Sequence, residues 1–324
     1  MIGESIALIV ALSWTATALF AEVGSKRMGA LPFNVVRMSL SLLMLSATLW
    51  LTMGAPWPRW ADGDTWLWLL LSGLVGYTVG DYCLMQGYII IGSRFGQLFM
   101  TLSAPVAALV GRLLLDEQLQ SSAWIGMAVT LSGIALTILG KKEAGQRGVG
   151  LRLPAKGILF AAGAGICQGA GLVLSKVGIT HYDEALSVAG LDTAAPVAEA
   201  LLPLPVNIAM PFAATMIRGL MGLAGFVALL YALHPQATQL LRRAIADRRA
   251  LRAATLSMLF GPFIGVSLSL LATQYTATGI AQTLFSLTPV LIIAPSALLF
   301  HQRVTLREIV GAIVSVAGAS LFFL

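Results

Sequence analysis

Apolar residues in this chain do not alternate with polar ones on a helix or strand period. They run on for roughly twenty positions at a time, the length of one helical bilayer crossing, and the polar residues gather in the gaps. Ten such runs are visible, at about 5 to 22, 33 to 53, 66 to 91, 95 to 115, 122 to 140, 157 to 176, 211 to 232, 253 to 274, 279 to 300 and 308 to 324. The pattern predicts an all-α integral membrane protein of ten transmembrane helices, joined by connections too short for a soluble domain. The first run has no basic leader and carries Glu4 near its start, so it reads as a span rather than a secretion signal.

Composition narrows the classes further. Of 324 residues, 58% are hydrophobic and 10% charged, with a mean hydropathy of +0.87, whereas soluble domains hold about 25% charged residues. A soluble enzyme, a disordered chain and a disulfide scaffold are excluded. Cys83 and Cys167 both fall inside apolar runs and read as small buried hydrophobes.

The net charge of +6 would suggest nucleic acid in a soluble protein, but in a membrane chain it is first a matter of topology. Lys26 and Arg27, the cluster Lys141, Lys142, Arg147, Arg152 and Lys156, the cluster Arg242, Arg243, Arg248, Arg249 and Arg252, and Arg94, Arg303 and Arg307 all fall in odd-numbered connections. Together they make 15 of the 20 basic residues. The positive-inside rule then places those connections in the cytoplasm and both termini outside, in a cell (inner) membrane. Glu4, Asp62, Asp64, Asp116, Glu117, Asp183, Glu184, Asp192 and Glu199 lie toward the opposite side, and 177 to 210 is the longest outer connection. A nucleic-acid partner is not expected.

The chain also repeats itself. A shift of 185 residues superposes Gly76 on Gly261, Gly80 on Gly265, Gln97 on Gln282, Gly126 on Gly311 and Gly133 on Gly318; Pro105-Val106 and Pro289-Val290 match at 184, and Arg37 and Arg218 at 181. This divides the chain into a first five-helix repeat (1–140), a basic linker (141–156) and a second repeat (157–324). Because five is odd, the two halves must enter the membrane with opposite polarity, an arrangement found in secondary transporters.

The arginine opening the second span of each half, the Pro-Val in the fourth and the Gly-x6-Gly in the fifth (Gly126 and Gly133; Gly311 and Gly318), with Leu-Leu-Leu-Asp-Glu-Gln-Leu at 113–119, resemble the EamA family of the drug/metabolite transporter superfamily. The second half departs at the matching place, reading Leu-Leu-Phe-His-Gln-Arg-Val at 298–304. The resemblance covers nearly the whole chain and implies a ten-helix carrier for small metabolites, amino acids or drugs, with a central cavity lined by both halves. It also implies export as the direction.

Asp81, in Gly-Tyr-Thr-Val-Gly-Asp-Tyr-Cys, is an acid deep within the third span, where a carboxylate is costly and points by default to function. It can couple transport to protons, contact a cationic substrate group, or form a structural pair with an arginine. Arg37 is a supporting substrate candidate and Arg218 a structural or gating one; their recurrence at matched depths suggests a shared structural role, with substrate contact second. Gln86, Gln97, Gln168, Gln274, Gln282, Trp14, Tyr82 and Tyr275 are candidate cavity lining, with interhelical hydrogen bonding or packing as the alternative. Pro105, Pro289, Gly80 and Gly265 are candidate hinges or packing points. Glu22 and Lys26, four apart, suit a surface pair.

No phosphate-binding loop, metal-ligand cluster or nucleophile motif occurs, so no catalytic residues, metal or cofactor are expected. The expected partners are the lipid bilayer, a small-molecule substrate and, through Asp81, protons. The leading expectation is a secondary transporter working by alternating access. An uptake carrier or exchanger of the same fold stands second, and a membrane enzyme acting on lipid-linked substrates third.

Overall fold

The computed structural model describes residues 2–115, 121–141, 149–151, 153–191, 206–275, 284–301 and 304–321. They form a helical bundle: α1 (Ile2–Met28), α2 (Ala30–Met53), α3 (Gly63–Ile91), α4 in two pieces (Ser93–Met100 and Ser103–Leu115) and α5 (Ser121–Ile138). After the linker come α6 (Ala155–Val188), α7 (Val206–Leu233), the short α8 (Ala237–Ala246), and α9, which runs from Arg248–Met258 through to Val266–Tyr275. Last are α10 in two pieces (Thr288–Leu291 and Ile293–Phe300) and α11 (Leu306–Ser320). Seven of the described helices, α1 to α4, α6, α7 and α9, are long and apolar enough to cross a membrane; Trp124–Thr137 and Thr288–Phe300 are shorter apolar helices.

Several expected boundaries move. The connection placed at 23–32 is a single residue, Gly29, and α3 likewise meets α4 at Gly92. Both glycines have φ of 84° with ψ near 160°, a region closed to side chains, so two long helices can fold back with almost no loop. The span expected at 157–176 continues to Val188, because nothing breaks it until Gly190, with φ of 76°, turns the chain. The connection from 233 to 252 is itself helical in α8 and the start of α9, Asp247 capping α9 by accepting from Arg249 and Ala250 amides at 3.0 and 3.1 Å. The described residues are otherwise helical as expected, with one short ribbon in the linker: β1 (Leu139–Lys141) pairs antiparallel with β2 (Val149–Leu151), Gly140 opposite Gly150. Backbone groups leaving the helix at the end of α5 find partners across this ribbon.

The matched positions share unusual backbone. In α3 the segment Gly73–Asp81 is wound as a π-helix, and in α9 so is Leu259–Gly265, which contains both superposed glycine pairs. In α9 the cause is visible, since Pro262 has no N–H to continue the α ladder. A turn breaks α4 at residues 101–102 and another precedes α10 at 286–287, just ahead of Pro105 and Pro289. In the second case the carbonyl of Phe285, which proline cannot serve, accepts from the Thr288 hydroxyl at 2.9 Å.

Packing is matched too. A methyl on Gly80 would lie 3.1 Å from Cys167 Cβ and one on Gly171 3.0 Å from Gly76 Cα, so α3 lies tightly on α6. In the same way methyls on Gly261 and Gly265 would meet Thr17 at 2.9 Å and Trp14 at 2.6 Å, so α9 lies on α1. Helices α5 and α11 meet at Gly133, Gly311 and Gly318, where small residues allow close backbone approach.

One end of the bundle is laced by ion pairs. Glu22, only 1% exposed, accepts from Lys26 at 2.5 Å and from the Ser93 amide at 2.6 Å. The i,i+4 pair is therefore present, but its acid is buried at the start of α4 rather than set on the surface. Arg27 donates to Asp247 at 2.8 Å, and Arg94 pairs with Glu308 at 3.1 Å, each joining the first half to the second. At the other end the Tyr182 hydroxyl donates to the Arg59 carbonyl at 2.7 Å, and Asp62 caps α3 by accepting from the Thr65 amide at 2.8 Å. Thr65, through its side chain first and its amide second, holds the Asp62 carboxyl below its ordinary value.

Candidate functional site

The π-wound segment of α3 ends at Asp81. An extra residue per turn rotates the helix face at this point, and the carboxylate turns inward between α2 and α6. One oxygen, Oδ2, accepts from Arg37 of α2 in a hydrogen-bonded ion pair, and the other, Oδ1, accepts from the Gln168 amide of α6 at 3.1 Å. Gln168 also reaches the Gly76 carbonyl at 3.4 Å, satisfying a backbone group loosened by the π winding. Exposures of 5% for Asp81 and 3% for Arg37 put the pair in the interior.

Arg218 of α7 joins the same cluster. It is 6% exposed, and its guanidinium stacks on the Tyr77 ring at 4.8 Å. Tyr77 precedes Asp81 by one turn on the same helix. Close approach is possible because α3 is bare here: a methyl on Gly76 would lie 3.3 Å from Arg218 Nη2, and one on Gly73 would collide with the Arg218 carbonyl. Arg37 is further steadied by the Phe33 ring, 5.7 Å from its guanidinium carbon.

The candidates from the sequence thus separate. Asp81, Arg37 and Gln168 come together, and Arg218, read as structural, belongs with them. Gln97 donates to the Tyr88 hydroxyl at 2.6 Å, tying α4 to α3, and Gln86 donates to the Tyr82 hydroxyl at 3.4 Å within α3. Tyr82 meets Phe160 edge-on with centroids 6.1 Å apart. Trp14 covers Gly265 and packs on Phe285 at 5.4 Å, outside the charged cluster. Gly80 and Gly265 are packing points of α3 and α9, and Pro105 and Pro289 are buried beside the breaks in α4 and α10. Gln282 and the side chains of Gln274 and Tyr275 lie outside the described residues.

Tyr77 is the member that sequence reading missed. Its signal was its spacing, four residues before Asp81 on the same helix.

Chemically the cluster is an ion pair desolvated between helices, with a second cation beside it. Removing a carboxylate or guanidinium from water costs several kcal/mol, and pairing recovers this only when the remaining donors and acceptors are satisfied. The carboxylate meets that condition and the arginines do not, because Arg37 Nε and Arg218 Nε have no hydrogen-bond partner.

A solved crystal structure 15% identical to the chain aligns over 98% of it and 96% of that chain, with a TM-score of 0.51. The likeness is one of fold. No curated protein sequence matches significantly. The profile of the EamA-like transporter family matches residues 1–139 and 200–324. With its apolar helices, this makes the chain a multi-pass membrane protein, and one whose family members are transporters rather than enzymes. By that match the chain belongs to the EamA-like transporter family.

Proposed function

We propose that the protein is a secondary transporter that moves a small solute across the plasma membrane by alternating access of two inverted five-helix halves, residues 1–140 and 157–324. The reading is carried by one observation: positions related by the repeat depart from ideal helix geometry together. The π segments, the breaks ahead of Pro105 and Pro289, and the crossed packing of α3 on α6 and α9 on α1 recur in both halves. Two halves of like build can exchange conformations about a shared centre, which gives two-sided access without a hinge of its own.

The odd-numbered connections face the cytoplasm in this reading, supported by the Lys/Arg asymmetry, and both termini lie outside. Export is the direction, on the family resemblance. The Arg37–Asp81–Gln168 junction is the coupling element. It joins α2 and α3 of the first half to α6 of the second, so a proton on Asp81 would remove the charge that holds Arg37 and loosen the contact between halves.

The test is solute flux in proteoliposomes over a broad metabolite panel, with and without a proton gradient. Flux of at least one solute that responds to the gradient, and loses that response in Asp81→Asn, is the expected result. Absence of flux across the panel overturns transport; flux indifferent to both pH and Asp81 overturns the coupling role.

A further inference from the structure

The buried cluster is unbalanced. It holds two guanidinium groups and one carboxylate, all at least nine-tenths buried, and the carboxylate is fully engaged, Oδ2 with Arg37 and Oδ1 with Gln168. Among the described residues no acid lies within ion-pair distance of Arg218 and its Nε has no hydrogen-bond partner; its guanidinium stacks on the Tyr77 ring, with Asp81 acting on it only as a through-space charge. The Tyr77 hydroxyl is buried without a partner, and Arg37 Nε is too. The groups without partners here, Arg218 Nε, Arg37 Nε and the Tyr77 hydroxyl, are therefore all able to donate. A second cation sharing one carboxylate in this setting is costly, and its natural complement is an anion able to accept two parallel bonds from one guanidinium.

We propose that Arg218 and Tyr77, backed by Arg37, form the subsite for an oxyanion, a carboxylate or phosphate, of the transported solute. The proposal rests on the transport reading and deepens it by assigning the charge of the substrate. It also reassigns Asp81. With both oxygens occupied, the carboxylate does not receive a cationic substrate group; it balances one arginine and leaves the other to the solute. Arg37 and Arg218 occupy matched places in the two halves, so the subsite sits where both halves reach the centre.

The test is thermal unfolding of the purified full chain in detergent, with succinate, inorganic phosphate, glycerol or putrescine added at constant ionic strength set with potassium chloride. Succinate or phosphate raises Tm, and which of them does so distinguishes carboxylate from phosphate recognition; glycerol and putrescine do not. Arg218→Gln removes the shift. Arg218→Lys weakens the apparent affinity by roughly tenfold or more, because an ammonium cannot offer the paired donors. The proposal is overturned if neither anion exceeds potassium chloride, if Arg218→Gln responds like the unsubstituted protein, or if putrescine stabilises and Asp81→Asn abolishes that effect. Should Arg218→Gln not fold, the solute panel on the unsubstituted protein and the Arg218→Lys comparison decide.

Flux in phosphatidylcholine vesicles separates this from the broader reading. Transport of a neutral or cationic solute, untouched by succinate or phosphate, overturns the anion subsite and leaves transport intact. No flux of any solute overturns transport itself.

Discussion

Thr130 and Ser315 stand 185 positions apart and hydrogen-bond each other's backbone carbonyls, Thr130 Oγ1 to Ser315 O at 3.5 Å and Ser315 Oγ to Thr130 O at 3.4 Å. The exchange is reciprocal because α5 and α11 carry matched faces. A methyl on Gly133 would lie 2.7 Å from the Gly311 carbonyl and one on Gly318 2.8 Å from the Gly126 carbonyl. Gly133→Ala and Gly318→Ala should therefore cost about the same, roughly 1–3 kcal/mol of overpacking each. Thermal unfolding in detergent checks this. A large loss in one with none in the other would mean that the two sites do not share one contact.

Asp81 and Arg37 differ from a surface pair in being desolvated. Removing one partner strands the other, so Arg37→Gln and Asp81→Asn should each destabilise by about 3–5 kcal/mol. The double variant should be clearly less damaged than the sum of the two, with a coupling of at least about 1 kcal/mol. A strictly additive double-mutant cycle in denaturation would show that the pair is not coupled in solution.

Asp247 serves two helices, accepting from Arg27 and capping α9, and these bonds hold its carboxyl below the ordinary value of 3.8. Because the folded value lies below the unfolded one, the stabilisation is complete above pH 3.8 and is lost as pH falls through the folded value. Hydrogen exchange at the Arg249 and Ala250 amides, corrected for intrinsic rate, should be flat from neutral pH down to that range and rise below it. In Asp247→Ala the amides should already exchange faster at neutral pH.

Arg94 and Glu308 bridge α4 and α11 at the same end, beside Phe95, Leu98, Pro289 and Ile293. Glu308→Gln removes the charge that draws Arg94 across and should loosen the contact between halves. In a background of Cys83→Ala and Cys167→Ala, Ile293→Cys should react with a soluble maleimide several-fold faster when Glu308→Gln is added. Equal rates would show that this pair does not restrict access.

The spans α1 to α3 were legible in the sequence because they depend on pattern, long apolar runs bounded by polar or glycine residues. The site was legible only in part. Asp81 stood out as an acid in an apolar run, but the identity of its partner is set by packing across 44 residues to Arg37 and across the linker to Gln168. For Arg218 the repeat suggests a structural role first and substrate contact second, and its place beside Tyr77 is a tertiary fact. The π winding that aims Asp81 inward leaves no compositional mark, and neither does the φ of Gly29 that reduces a ten-residue connection to one residue.

Helix α6 is 34 residues long, about 50 Å at 1.5 Å per residue, against a hydrocarbon core of about 30 Å. Gln168 sits on it at the charged cluster, and the twenty residues from there to Val188 form an arm of about 30 Å. A tilt of a few degrees at the cluster becomes a displacement of ångströms at the tip, where Tyr182 grips the Arg59 carbonyl. The rod thus links the charged cluster mechanically to the far end of the bundle, where Tyr182 and Leu186 are fully buried. A spectroscopic label near Val188 would read the state of a centre that it never touches.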